Sequence, residues 1–455
     1  MYRSLLFASA LMISGRALAD QIQYLPHGPQ SLSAIVTTIQ NARSSVDLTY
    51  YIFEPCTVPG RLVLKNLAAK ARQGVRVRAI LDAQPLKAAE RANLTQFFKR
   101  RGMDLKFYND AFAFSPTLNN RSHIKFTVAD GNTYVSGGRN IADGYFGFDA
   151  GINYVDRDLI VKGASARQVQ ASFNELWNSS MVSQGSEFEA DGRFDSVCLK
   201  EDATYQKAVQ MLSQKKAELK ARTKEHACSD VTFTTDNPEF ASARYGDGMA
   251  GESNPEYLNS LRLMEKRTSG QVLDFFSSAN RRLEVENWSY VPAHRMSAVF
   301  EKLRQKQVRV EVLTNAAAAA GGIFDSSFDD IMKYYVERDT NGTQAVLQVS
   351  RQGSMNDRHD LTPATGRWKI HSKVAVADNR DVLVSSFNLD PRSYHTNLES
   401  AVVVRRCEAL AKDLQAGFQG LRQNVKQDLK CKTCHPEVSP NYTMRVLGWI
   451  AHELL

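Results

Sequence analysis

Apolar residues recur at helical spacing over residues 31 to 43, after a serine suited to begin a helix, and the run predicts a first helix. Residues 46 to 53 are β-branched and aromatic instead, and predict a strand. Pro59-Gly60 marks a turn, residues 61 to 73 return to helical spacing until Gly74, and residues 75 to 81 predict the next strand. Strand, turn, helix, strand is the pattern of a sheet with crossover helices. It recurs further along. Residues 283 to 290 are strand-like, Val291-Pro292 turns, residues 296 to 307 are helical and residues 308 to 313 form a strand pattern. Gly74-Val75-Arg76-Val77 matches Gln307-Val308-Arg309-Val310, so the chain carries two long repeats rather than an array of short ones.

Each repeat contains a second pattern, an alternating strand, a tight turn and another strand, and the candidate chemistry lies there. His123, Lys125, Asp130 and Asn140 recur at the same mutual spacing as His371, Lys373, Asp378 and Asn388. Residues two apart on a strand share a face, so each histidine projects into the same space as its lysine. A neutral imidazole can attack phosphorus to give a phosphohistidine. A second, protonated imidazole can protonate the departing oxygen and then serve as base for water or an alcohol. Lys125 and Lys373, with Asn140 and Asn388, can hold the non-bridging oxygens and stabilise charge in the transition state. One histidine comes from each half, so the site is expected at a pseudo-twofold interface. Asp130 and Asp378 stand at strand–turn boundaries and read as structural.

Composition narrows the setting. At 455 residues, with 43% hydrophobic and 23% charged residues, the chain reads as globular and long enough for two lobes. A net charge of +8 and a pI near 9.0 suit an anionic partner, lipid headgroups or nucleic acid. Arg3, a short apolar run over residues 5 to 13, and Ala17-Leu18-Ala19 read as a secretory signal cleaved after Ala19. In a periplasmic or secreted protein, six cysteines imply disulfides, and Cys198 with Cys228, which bracket a helix-like insert, is the favoured pair. Cys431-Lys432-Thr433-Cys434-His435 has the spacing of a haem attachment site. It has no haem-sized domain around it, and a disulfide, local or to Cys407, is expected instead. Residues 315 to 322 are low-complexity and predict a loop or short helix. The apolar tail from Tyr442 predicts a helix on the core or a membrane surface.

The two H-x-K-x4-D motifs resemble the phospholipase D superfamily, in particular its bacterial cardiolipin-synthase-like branch. The resemblance extends through Gly137-Gly138-Arg139-Asn140-Ile141-Ala142-Asp143 and Tyr145-Phe146, and through residues 386 to 393 and 397 to 399. It also includes residues 50 to 53 and 74 to 78. Ser385 departs from the pattern, which has glycine there, and is expected to tighten the phosphate pocket. The resemblance implies an α/β protein of two fused α-β-α sandwich lobes related by a pseudo-twofold, with one active site between them. The corresponding division is a signal at 1–19, a first lobe at 20–195, a helical insert at 196–270, a second lobe at 271–430 and a tail at 431–455. It implies a carboxylate for each imidazole: Glu399 for His371, and Asp156, or failing that Asp158, for His123. By the family pattern His123 is the nucleophile and His371 the general acid, with the reverse left open by the near-symmetry. Ser386 and Arg392 join Asp130 and Asp378 as supporting residues. No cofactor and no metal are implied. The expected substrate is a glycerophospholipid with an anionic or zwitterionic headgroup, met at a membrane surface by a monomer. A metal-independent nuclease and a silent anionic-lipid scaffold are the alternatives.

Overall fold

The structure is a computed structural model that describes residues 19–110, 120–222, 224–239, 266–290, 294–314, 348–349, 367–423 and 426–427. The expected signal, the residue 315–322 segment, the C-x-x-C-H sequence and the apolar tail fall outside the described residues.

The first lobe runs β1 (Asp20–Leu25), α1 (Gly28–Asn41), β2 (Ser45–Tyr50), α2 (Val58–Arg72), β3 (Arg76–Asp82), α3 (Ala88–Lys99), β4 (Asp104–Tyr108), β5 (Phe126–Ala129) and β6 (Thr133–Gly137). It continues through α4 (Asp143–Phe146), β7 (Ile152–Val155), β8 (Asp158–Lys162), α5 (Ala166–Trp177) and β9 (Val182–Gln184). After α6 (Phe194–Val197), α7 (Ala203–Arg222) and β10 (Glu225–Cys228) comes the second lobe. Its elements are β11 (Asp230–Thr235), α8 (Arg267–Ser277), β12 (Arg282–Asn287), α9 (His294–Gln305), β13 (Arg309–Leu313), β14 (Gln348–Val349), β15 (Arg367–Ile370), β16 (Lys373–Ala377), β17 (Asp381–Ser385), α10 (Pro391–His395), β18 (Ser400–Arg405), α11 (Glu408–Gln423) and β19 (Lys426–Gln427).

Six strands of the first sheet, in the order β1-β8-β6-β5-β2-β3, have the same arrangement as the whole second sheet, β11-β18-β17-β16-β12-β13. The repeat read in the sequence is therefore a repeat of topology. The first sheet is extended at its edges by β10, β4 and β9. In both lobes the first helix-linked strand pair is parallel, β2 with β3 and β12 with β13, as a crossover helix requires.

Local chemistry explains why these segments fold as they do. Thr57 caps α2 by accepting from Gly60 N, and the chain leaves the helix through Gly74 in the left-handed region at φ +83°. Its counterpart Gln307 takes φ +57° at the same point of the second lobe. The hairpin turns use Asp130-Gly131 and Asp378-Asn379, all four at positive φ, which matches the twist of the flanking strands. The two aspartates also fasten their hairpins. Asp130 accepts from the backbone N–H groups of Arg43, Ser44 and Ser45, and Asp378 from those of Asn280, Arg281 and Arg282. Burial opposes ionisation of both, but these donors prevail and hold each carboxyl below its ordinary pKa.

The two sheets face each other across a shared layer. Val169, Phe173 and Leu176 of α5 and Leu410, Leu414 and Phe418 of α11 belong to one apolar cluster with Val128 and Tyr134 of the first sheet and Val384 and Val402 of the second. The outer faces have their own cores, one under α1 to α3 and one under α8 and α9. The stacking is helix, sheet, helix, sheet, helix, so the inner faces of both lobes are buried against each other.

The disulfides correct the expected Cys198–Cys228 pairing: Cys56 bonds Cys198, and Cys228 bonds Cys407. The reason is the insert itself. The 20-residue α7 is about 30 Å long, and it carries its flanking cysteines to different places. Cys198 stays against the loop after β2, whereas Cys228 ends β10 beside the second lobe. Cys407 is thereby engaged and is not the partner of the cysteines at 431 and 434.

Candidate active site

Between the lobes, short segments pair across the pseudo-twofold. β7 pairs in parallel with β15, Val155 opposite Ile370, and His371 N donates to Val155 O at 2.7 Å. On the other side Ser122 pairs with Leu398, and His123 N donates to Leu398 O at 2.8 Å. The registers are equivalent, with the residue before each histidine opposite the residue before a carboxylate of the other lobe. Each histidine thus precedes its lobe's ladder strand, β5 or β16, rather than standing inside it as the alternation predicts. The lobe–lobe pairing holds its backbone there.

The register decides the carboxylate partners, and they are crossed. His371 Nδ1 lies 2.6 Å from Asp156 Oδ2, and His123 Nδ1 lies 3.1 Å from Glu399 Oε2. The expected assignment of Glu399 to His371 and Asp156 to His123 is reversed. The runner-up, Asp158, is taken by Arg139 at 2.9 Å and by the Ser31 hydroxyl. His123 Nδ1 also faces Ser386 O at 2.9 Å; both of its neighbours there accept, so Nδ1 carries the proton and Nε2 is left bare. Asp156 and Glu399 are fully buried. Burial works against their charge, but the imidazole and lysine beside each outweigh it and bring both carboxyls down to about 2.

Lys125 and Lys373 are equally buried, and each donates to the carbonyl of the histidine two residues before it. Burial lowers Lys125 to about 7 and Lys373 to about 8. Burial, then the neighbouring lysine, also pulls both histidines below their ordinary range. Lys373 acts on His123, and Lys125 on His371, so both motifs share one electrostatic site. Among the described residues no cluster of histidine, cysteine and carboxylate side chains is arranged to hold a metal ion.

The other predicted residues divide. Asn140 is fully buried, with Oδ1 accepting from Ile52 N at 3.0 Å and Nδ2 donating to the Tyr145 hydroxyl at 2.9 Å. Asn388 is half-buried, and its Oδ1 has no partner among the described residues. Ser386 donates to Glu399 Oε2. Arg392 sits in α10 and contributes its charge to the surroundings of Tyr51. Asp130 and Asp378 lie at the hairpin turns, with the supporting bonds already described. Ser385 does not tighten a phosphate pocket, because its hydroxyl donates to Lys373 O at 3.0 Å and lies within the sheet.

Several site residues escaped the sequence reading. Tyr51 packs edge-on against His123, and Trp288 lies against His371. They are counterparts, each one residue past the first strand of its hairpin neighbour, β2 or β12; aligning the halves by strand rather than by identity would have exposed them. Tyr145 and Tyr154 complete the wall around His371, with ring centroids at 4.9 and 5.4 Å. Gly138 is required by the carboxylate. A Cβ there would sit 2.1 Å from Asp156 Oδ1. Gly138→Ala is therefore expected to displace Asp156 and reduce turnover at least about 100-fold, as loss of a group that orients a catalytic imidazole does. Turnover and melting temperature measured together check this, and an unchanged rate would refute it.

The family model described as "Cardiolipin synthase, PLD-like domain" matches residues 35–177 and 272–422, one match per lobe and well over half of the chain. The chain belongs to that family. It is 24% identical over 400 residues to an uncharacterized protein of Helicobacter pylori strain 26695, covering 83% of this chain and 75% of the relative. It is also 24% identical over 408 residues to cardiolipin synthase C of Escherichia coli K12, covering 83% and 79%. Among solved structures, phosphatidylserine synthase of Haemophilus influenzae superposes with a TM-score of 0.63 at 14% identity, over 95% of this chain and 94% of that one. This last likeness establishes the two-lobed fold of this family member.

Proposed function

We propose that this protein is an exported phosphodiesterase or phosphatidyltransferase that cleaves the headgroup phosphodiester of a glycerophospholipid through a phosphohistidine. The observation that carries the reading is the crossed pair of imidazole–carboxylate contacts, which joins both motifs into one centre. His123 Nε2 attacks phosphorus, the bond to the headgroup oxygen breaks, and His371 gives that oxygen a proton. His371 then takes the proton of water or an alcohol, whose oxygen displaces His123 from phosphorus. The bound phosphodiester anion offsets the lysine charges that disfavour a protonated imidazole, which lets His371 carry the proton it donates. Lys125, Lys373, Asn140 and Asn388 hold the non-bridging oxygens. Family membership, relatives named for cardiolipin and phosphatidylserine synthesis, and the net charge of +8 support a lipid substrate. The two disulfides support an oxidising compartment, and among the described residues no helix is long and apolar enough to cross a membrane.

The test incubates mature protein with phosphatidylglycerol vesicles and, separately, plasmid DNA, both with chelator. Wild type is expected to release or transfer headgroup, and His123→Ala and His371→Ala are not. DNA cutting with intact lipid would replace the reading by a nuclease, and two intact substrates would favour the scaffold.

The protonation states predict a bell-shaped pH profile. With a 4-nitrophenyl phosphodiester, whose leaving oxygen needs no proton from His371, the attacking His123 must be neutral, so kcat/KM rises with pH through its lowered value of about 4. The lysines must be charged, so it falls as pH rises through about 7 to 8. A basic limb at the ordinary lysine value near 10 would contradict this account.

A further inference from the structure

The two halves repeat the histidine, the lysine and the asparagine, yet the surroundings of the asparagines are not repeated. Five residues after Asn140 stands Tyr145, and five after Asn388 stands Ser393. The Tyr145 hydroxyl reaches Asn140 Nδ2, whereas the Ser393 hydroxyl accepts from the backbone N–H of Asn388 and leaves its side chain alone. The backbone N–H that holds Asn140 Oδ1 belongs to Ile52. Its counterpart, on Ser289, is diverted to Asn287 Oδ1 at 3.3 Å. One asparagine side chain is therefore fixed, and the other makes no hydrogen bond among the described residues.

Tyr145 is placed to do more than fix Asn140. Its ring is 6% exposed, stacks on Tyr154 at 4.6 Å and packs T-shaped against His371 from the other lobe at 4.9 Å. The hydroxyl accepts from Asn140, and among the described residues its own proton has no acceptor. Burial, then the charge of Tyr154, pushes the phenol far above its ordinary range, so it stays a donor at any working pH. A buried O–H without an acceptor forfeits the hydrogen bond it would make in water, so the site calls for a partner. Beside His371 and Asn140, in a centre that also holds two lysines, the natural acceptor is an anionic oxygen on phosphorus.

Resting on the phosphodiesterase reading above, we propose that the Tyr145 hydroxyl is a catalytic hydrogen-bond donor to one of the two non-bridging phosphoryl oxygens, supplied by the first lobe only. The pseudo-symmetric centre then treats the two oxygens unequally, and the two histidines are inequivalent because His371 alone shares its wall with this phenol.

Sulfur accepts hydrogen bonds poorly, so the Rp and Sp phosphorothioate analogues of phosphatidylglycerol report on each oxygen separately. Tyr145→Phe keeps the ring against His371 and Tyr154 and removes only the hydroxyl. With the all-oxygen lipid its kcat is expected to fall about 100-fold with little change in KM. The Rp-to-Sp rate ratio of wild type should shift by about tenfold or more in this variant. Ser393→Ala, at the counterpart position, should leave the ratio unchanged. A Tyr145→Phe enzyme with full activity, or one slowed equally on both diastereomers, would overturn the proposal; the second result would leave Tyr145 as a support for Asn140. Wild type inert on phosphatidylglycerol would overturn the lipid reading together with this inference. An active wild type whose ratio does not respond to the substitution would overturn this inference alone.

Discussion

With a 4-nitrophenyl phosphodiester, whose leaving oxygen needs no proton, Glu399→Gln is expected to lose the initial burst of nitrophenolate and Asp156→Asn to keep it. With the lipid substrate, both variants should lose about 10³–10⁴-fold in kcat, the scale seen when a carboxylate behind a catalytic imidazole is neutralised. The distinction follows from the crossed contacts. Glu399 holds the Nδ1 proton of His123 and so bares the nitrogen that attacks, whereas Asp156 holds His371, which is dispensable when the leaving group is already good. Each substitution keeps the side-chain shape, so stopped-flow burst amplitude isolates the electrostatic loss. A burst lost in Asp156→Asn and retained in Glu399→Gln would make His371 the nucleophile. Small and equal losses in both would sink the functional account of the crossed pairs.

Arg157→Met should destabilise the protein by about 3–5 kcal/mol, the cost of leaving a buried charge without its partner. Arg157 comes from the first lobe, directly after Asp156, and its guanidinium contacts both carboxylate oxygens of Glu286 in β12, at 3.1 and 3.3 Å. Both residues are almost completely buried. Glu286 also accepts from the hydroxyl of Ser372, the residue between His371 and Lys373. The pair therefore ties the second motif to the first lobe at the base of the site. Because the penalty lies in the orphaned charge, Arg157→Met combined with Glu286→Gln should recover much of the loss. Denaturant unfolding of the four proteins in that cycle decides it. A single variant within about 1 kcal/mol of wild type, or a double variant no better than the single, would contradict the argument.

Much of this architecture is legible in the residue pattern because it is set locally. Strand periodicity over residues 75 to 81 and the left-handed exits at Gly74 and Gln307 depend on near neighbours. Pro59-Gly60, read as a turn before the helix, forms the first turn of α2 itself, where proline suits a position whose N–H has no partner. The duplicated histidine, lysine and asparagine were found because identity was kept in both halves. What escaped depends on pairing between distant segments. β7 is four residues long, and nothing in Ile-Asn-Tyr-Val specifies β15 as its partner, so the exchange of carboxylates between lobes was invisible. The cysteine pairing failed for a similar reason, since it turns on where α7 carries the chain. Tyr51 and Trp288 kept a shared role without a shared identity. Tyr145 and Ser393 show the converse, counterparts by position that diverged in size, so only the three-dimensional contacts reveal that the halves differ.

The exchange of carboxylates also bears on the order of events as the chain is made. His123 gains its carboxylate from a residue 276 positions later, and Asp156 waits for an imidazole 215 positions later. An amino-terminal fragment, however well its own sheet forms, holds a histidine without an orienting anion and an anion without its histidine. On the proposed mechanism competence arrives in one step, when the segment of Leu398 and Glu399 pairs with Ser122 and His123, and a truncated chain has no half-active form. For the proposed phospholipid chemistry that is an intrinsic safeguard, written into strand register rather than into a removable inhibitor.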